Sequence, residues 1–145
     1  MSTASPVVKE FFEQYERSRN TLDLGVIASQ YPDSFVFAGP NGARVAEKQA
    51  VLAAVPKGQE FLKALGHKST KLLSLEETAL DDHYVLARVQ FLWRFEKPSA
   101  SPIDVKLDSS FILYIRDGSP KIVFQHEPED FQQALQARGV LPAKP

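Results

Sequence analysis

The sequence predicts an α+β domain, with helices packed on one face of a curved antiparallel sheet. Three observations carry this. The first 65 residues show helical spacing, broken by one short β-rich run. From His67 the apolar period changes to two, and strand follows strand up to Glu127. A last short run, from Pro128 to Gly139, returns to helical spacing. A doubly wound parallel sheet would instead alternate strand and helix along the chain.

Each element has a local reason. Pro6 suits a first helical turn, with Ser5 before it as a cap, and Val7, Val8, Phe11, Phe12 and Tyr15 recur on one face of a helix over 6–19. Thr21 is the expected cap of a second helix carrying Leu22, Leu24, Ile27 and Ala28, which Pro32 stops. SFVFA then reads as a strand and GPNG as a turn. Residues 46–55 and about 58–65 read as helices separated at Pro56 and Gly58. Four strands follow, within 67–78, 83–97, 103–118 and 121–127, the last two joined by Asp117-Gly118 as a hairpin. In the final helix Pro128 takes the first turn, Glu129 and Asp130 favour the helix dipole, and Gly139 ends it.

Length and composition bound the function. A chain of 145 residues, 43% hydrophobic and 24% charged, supports one domain with a real core. Residues 1–145 read as that domain, with short flexible ends at about 1–5 and 140–145. A net charge of −1 provides no bulk field for nucleic acid or an anionic membrane, so neither is an expected partner. Cysteine is absent, which removes disulfides and thiol nucleophiles and fits a cytoplasmic location. Lys9 and Glu10 interrupt any N-terminal apolar core of the signal-peptide kind. The three histidines lack metal-ligand spacing, so neither a metal nor another cofactor is expected.

Alternation on the long strands leaves two arrangements open. One parity of 103–116 is Ile103, Val105, Leu107, Ser109, Phe111, Leu113 and Ile115, and the other carries Ser110, Ile112 and Tyr114 among charges. Either the apolar parity faces the helices, or it faces a subunit interface while the mixed parity lines a cavity. The inward parity of residues 84–95 is open as well, because one β-bulge would flip it.

At this point the chain resembles the nuclear transport factor 2-like superfamily, which includes SnoaL-like cyclases and ketosteroid isomerase. The residues that carry the resemblance are Tyr31-Pro32-Asp33, FVFAGPNG, AEKQAVLAAV and the closing hairpin YIRDGSPKIVFQHE. It spans nearly the whole chain. It implies a cone-shaped fold, a pocket between helices and sheet, and a homodimer through the outer sheet face. It also implies that Ser110, Ile112, Tyr114, Val123, Gln125 and Glu127 point inward and that Phe111, Leu113, Ile115, Ile122, Phe124 and His126 point outward. On the shared frame the general base of ketosteroid isomerase falls on Gly39, its acidic oxyanion group on Ser110 and its oxyanion tyrosine on Tyr15. Glycine supplies no base, so that isomerisation is not expected here, and whether another reaction occurs stays open.

The expected function is binding of a small, partly apolar molecule in the cone, with acid–base chemistry of a dehydratase, isomerase or cyclase type open to it. The rival reading is a non-enzymatic dimeric module with a filled cavity. Tyr15 is either a donor to a ligand carbonyl or one more aromatic on the apolar stripe. Glu127 is either an acid–base group or a residue leading into the last helix. These two are the candidate catalytic pair, with Phe35, Phe37, Ser110, Ile112, Tyr114 and Gln125 as candidate pocket residues. Arg88 and Arg94 share a strand face, where exposure or pairing with Asp104 and Asp108 explains them more simply than an anion site. His126 shares the parity of Phe124, away from the pocket, and His67 and His83 are expected in solvent.

Overall fold

A computed structural model describes residues 4–142. Pro6 opens α1 (Pro6–Thr21), and burial of Val8, Phe11 and Phe12 fixes which face turns inward. The Ser5 side chain makes no cap; its amide and hydroxyl both donate to Glu77, 2.8 Å away. Leu22, in the left-handed region at φ 56°, ends the helix. Asp23, rather than Thr21, caps α2 (Leu24–Ser29), accepting the Val26 N–H, while Thr21 donates back to the Arg17 carbonyl.

The hairpin of β1 (Ser34–Gly39) and β2 (Gly42–Glu47) turns through Pro40-Asn41. β2 is absent from the sequence reading. All its residues but Ala46 are exposed, so it carries no buried alternation to announce it. α3 (Lys48–Ala64) runs unbroken through Pro56 and Gly58, contrary to expectation. A proline removes one ladder bond from a helix. The packing of Val51, Leu52 and Val55 against the core holds this helix together around that loss.

β3 (His67–Ala79), β4 (Tyr84–Phe95), β5 (Ile103–Arg116) and β6 (Ser119–His126) form consecutive antiparallel hairpins. The β5–β6 turn has Asp117 and Gly118 at φ 54° and 74°, the positive-φ pair that a two-residue hairpin favours. The strand order is β2-β1-β6-β5-β4-β3. β1 lies parallel to β6, so the curved, unclosed sheet is mixed rather than wholly antiparallel. α4 (Phe131–Ala137) begins three residues beyond Pro128, because the Asp130 carboxylate caps it by accepting the Gln133 N–H. Val140, in the span expected to be flexible, is 1% exposed and packs under α4. Ala4 and Leu141 also pack against the apolar clusters, and the outermost residues in that expectation, 1–3 and 143–145, lie outside the described residues.

The apolar parity of β4 and β5 faces the helices. Val85, Ala87, Val89, Phe91, Phe111 and Leu113 are buried with Phe12 of α1, and full burial of an aromatic such as Phe111 contributes about 2–3 kcal/mol. Ser110, Ile112 and Tyr114 therefore lie on the outer face, correcting the expected arrangement. The cause is a bulge in β6. Leu113 pairs with Ile122 but Ile112 pairs with Phe124, leaving Val123 as an extra residue. Ile122 and Gln125 thus share the inner face although their numbers differ in parity. Phe124 and His126 stay outside, as expected.

A second apolar cluster, Leu62, Phe95, Val105, Leu107, Leu135 and Val140, sits beneath α4. No helix among the described residues is long and apolar enough to cross a membrane.

Candidate functional site

A cavity of about 660 Å³ opens between the two clusters. Small side chains create it. Along β5 the inward residue changes from Phe111 to Ser109, and Gly39, Ala43 and Thr70 add little bulk on the other strands. Its apolar walls are Phe37, Phe91, Trp93, Leu107 and Phe131. Phe131 closes over Trp93, with ring centroids 5.0 Å apart, so α4 forms part of the rim.

Glu127 follows the last residue of β6. Its N–H donates to the Ala38 carbonyl at 2.9 Å, extending the parallel pairing with β1 by one bond. Its side chain lines the cavity and accepts hydrogen bonds on both oxygens, from Ser109 Oγ at 2.6 Å and from Gln125 Nε2 at 2.9 Å. Burial pushes the carboxyl above the usual glutamate range. It outweighs the two hydrogen bonds and the neighbouring His126, all of which pull the other way.

A polar chain continues from there. Tyr31 donates to Gln125 Oε1 at 3.1 Å, and Arg19 Nη2 donates to the Tyr31 hydroxyl at 3.1 Å. Arg19 Nη1 donates to Gln30 Oε1 at 2.8 Å and to Ser18 Oγ at 3.1 Å. The guanidinium carbon stands 3.5 Å from the Tyr15 ring centroid. Tyr15 stacks on Phe91 and meets Phe111 edge-on. Burial pushes its phenol far above the ordinary range, against the pull of Arg19, so it stays protonated and can donate a hydrogen bond. Tyr31 is raised by burial in the same way.

The structure brings Tyr15, Glu127, Gln125 and Phe37 together on one cavity. It leaves the other candidates elsewhere. Ser110, Ile112 and Tyr114 face outward, and Phe35, 5% exposed, packs on Tyr31 in the core. The hairpin count lands on Ser110, while the serine that reaches the cavity is Ser109. His67 is half-buried against Trp93 and Phe95 rather than solvated. It shares a 2.9 Å hydrogen bond with Thr70 Oγ1, and burial lowers its pKa. Arg94 lies on the outer face beside Glu96 and Asp104. Among the described residues no group of three His, Asp or Glu side chains could hold a metal ion.

Several site residues escaped the sequence reading, among them Tyr31, Phe91, Leu107 and Phe131, and for two others, Ser109 and Arg19, a signal exists. Ser109 is the one polar member of an otherwise apolar parity. Arg19 stands four residues after Tyr15, on the same face of α1.

The architecture defines an α+β cone with a pocket between helices and sheet, and comparison agrees. Residues 4–130 match the family described as NTF2-like protein (DUF6841), and the chain belongs to it. No curated protein matches. Among solved structures, Aln2 from a Streptomyces species aligns with a TM-score of 0.71 at 15% identity, covering 93% of this chain and 99% of its own. An NTF2-like protein with a cystatin-like fold from Novosphingobium aromaticivorans gives 0.68 at 14%, covering 94% and 87%. An NTF-2 like protein of unknown function from Shewanella oneidensis gives 0.65 at 15%, covering 85% and 97%. At these identities the likeness is one of fold.

Proposed function

We propose that the cone binds a small, partly apolar molecule and that Glu127 and Tyr15 carry out proton transfer on it. The observation that carries this reading is Glu127 itself. A half-buried carboxyl with raised pKa, held on both oxygens by neutral donors, faces an aromatic-walled cavity. Such a group can take or give a proton, and Tyr15 is a protonated donor for a developing oxyanion. The volume is within the range of roughly 300–1,000 Å³ usual for small-molecule sites. Dehydration, isomerisation and cyclisation are the reaction classes these two groups can serve. The cavity is open, which weighs against the filled-module alternative.

The test is a two-dimensional NMR titration of the native protein with a library of bicyclic fragments. Shifts clustered at Phe37, Phe91, Trp93 and Leu107 support the reading; shifts confined to the outer face contradict it. For any substrate so found, Tyr15→Phe and Glu127→Gln should retain affinity and lose turnover. Undiminished turnover in both variants would remove the pair.

A homodimer through the outer sheet face is part of the same proposal. Val45, Val36, Phe124, Ile112 and Leu86 lie in one register row across five strands, on the side away from the helices. Val45 is 66% exposed. A row of this kind on a sheet surface favours a partner.

A further inference from the structure

We propose that the ligand of this cavity carries a carboxylate, which Arg19 holds while the apolar body lies against Phe37, Phe91, Trp93 and Phe131. The proposal rests on the reading of the cavity as a binding site and adds the chemical class of the ligand.

The argument starts from charge. Arg19 is half-buried on the cavity wall, yet among the described residues no carboxylate lies within 4.0 Å of it. Its partners are neutral: Ser18 Oγ, Gln30 Oε1, the Tyr31 hydroxyl and the face of Tyr15. A guanidinium has five N–H donors. Three are used here, both on Nη1 and one on Nη2, so one on Nε and one on Nη2 remain. Nε and Nη2 share one edge of the guanidinium, an edge that grips a carboxylate through two parallel hydrogen bonds.

The acids of the cavity do not supply that carboxylate: each is turned to a donor other than Arg19, neutral in every case but Glu129. Glu16 accepts the Leu72 N–H at 2.7 Å, Asp108 accepts Gln90 Nε2, Asp130 caps α4 and Glu129 pairs with Arg138. Glu127 has Ser109 and Gln125. Among the described residues the lining holds two arginines without a carboxylate partner; Arg44 is exposed and lies over the Phe37 ring, whereas Arg19 is half-buried, so the site for an anion is at Arg19. A carboxylate suits the site better than a phosphate, since the fork of Arg19 matches one carboxylate and the carboxylates elsewhere on the lining disfavour a doubly charged anion. Two side chains, Tyr31 and Gln125, connect Arg19 to Glu127. The acid group and the atom presented to Glu127 are therefore different points on the ligand.

Isothermal titration calorimetry with matched pairs tests this. The probes are adamantane-1-carboxylate against adamantane-1-carboxamide, and 2-naphthoate against 2-naphthamide. The expected result is that each acid binds the wild-type protein at least about ten-fold more tightly than its amide, a gap of about 1.4 kcal/mol. Arg19→Gln should abolish the preference, and Arg19→Lys, which keeps the charge but not the fork, should retain part of it. Should Arg19→Gln fail to fold, the wild-type comparison and Arg19→Lys decide. Equal binding of acid and amide overturns the proposal while leaving the cavity a binding site. Failure of all four probes overturns the proposal and the binding reading with it.

Discussion

Glu127 carries the proposed proton transfer, and its environment makes a signed prediction about stability. Burial raises the native pKa above that of the unfolded chain, whose glutamates titrate near about 4.3. Between that value and the raised native value, the folded state keeps a proton that the unfolded state has released. Wild-type stability therefore falls as pH rises through this window, and the loss is complete above the native pKa. Glu127→Gln removes the titration and leaves a pH-independent offset from the altered bonds to Ser109 and Gln125. Urea unfolding of both proteins across the window should show the variant gaining on the wild type as pH rises, then a constant difference. Parallel profiles would mean that Glu127 is not desolvated in the native state. At this scale the sequence was legible where side-chain type and helical spacing suffice, as for Tyr15. For Gln125 and Glu127 the inward orientation was implied by the resemblance, and strand alternation beyond the bulge is its physical reason. The sequence was not legible at Ser110, Ile112 and Tyr114, because orienting them required the register of β5 against a strand whose bulge at Val123 no composition reveals.

At the scale of elements, two glycines separate backbone necessity from tolerance. Gly66 links α3 to β3 at φ 92°, and its carbonyl accepts the Glu96 N–H at 2.8 Å. A Cβ there would collide with the Glu96 carbonyl oxygen. Gly66→Ala should destabilise the fold by about 2–4 kcal/mol. Gly58, exposed within α3, has no atom within 4 Å of a built Cβ. Gly58→Ala should stabilise by about 0.5–1 kcal/mol. Urea unfolding measures both, and equal effects would contradict this account of the α3–β3 junction. β3 is an edge strand, and α1 covers its free backbone. The Asn20 amide pairs with both the N–H and the carbonyl of Thr70, and Glu16 accepts the Leu72 N–H. The long strands were readable because each buries one face. β2 and the unbroken course of α3 were not, since a peripheral hairpin lacks that alternation and tertiary packing overrides a single proline.

At the scale of the molecule, one sheet separates two surfaces of different character. Its inner face supplies the cavity and its outer face carries the apolar row through Phe124 and Ile112. If that row is an interface, Phe124→Asp should convert a dimer to a monomer in light scattering coupled to size exclusion, with ligand binding in the cavity preserved. A wild-type protein monomeric at high concentration would remove the dimer proposal without touching the cavity. The central claim is that the space between Arg19 and Glu127 receives a ligand. A high-resolution crystal structure of the protein soaked with the tightest-binding fragment tests it most directly. The account predicts ordered ligand density inside the cone, in contact with Glu127 and walled by Phe91 and Trp93. A cone closed by Phe37, Trp93 and Phe131, with the fragment bound elsewhere, would contradict it.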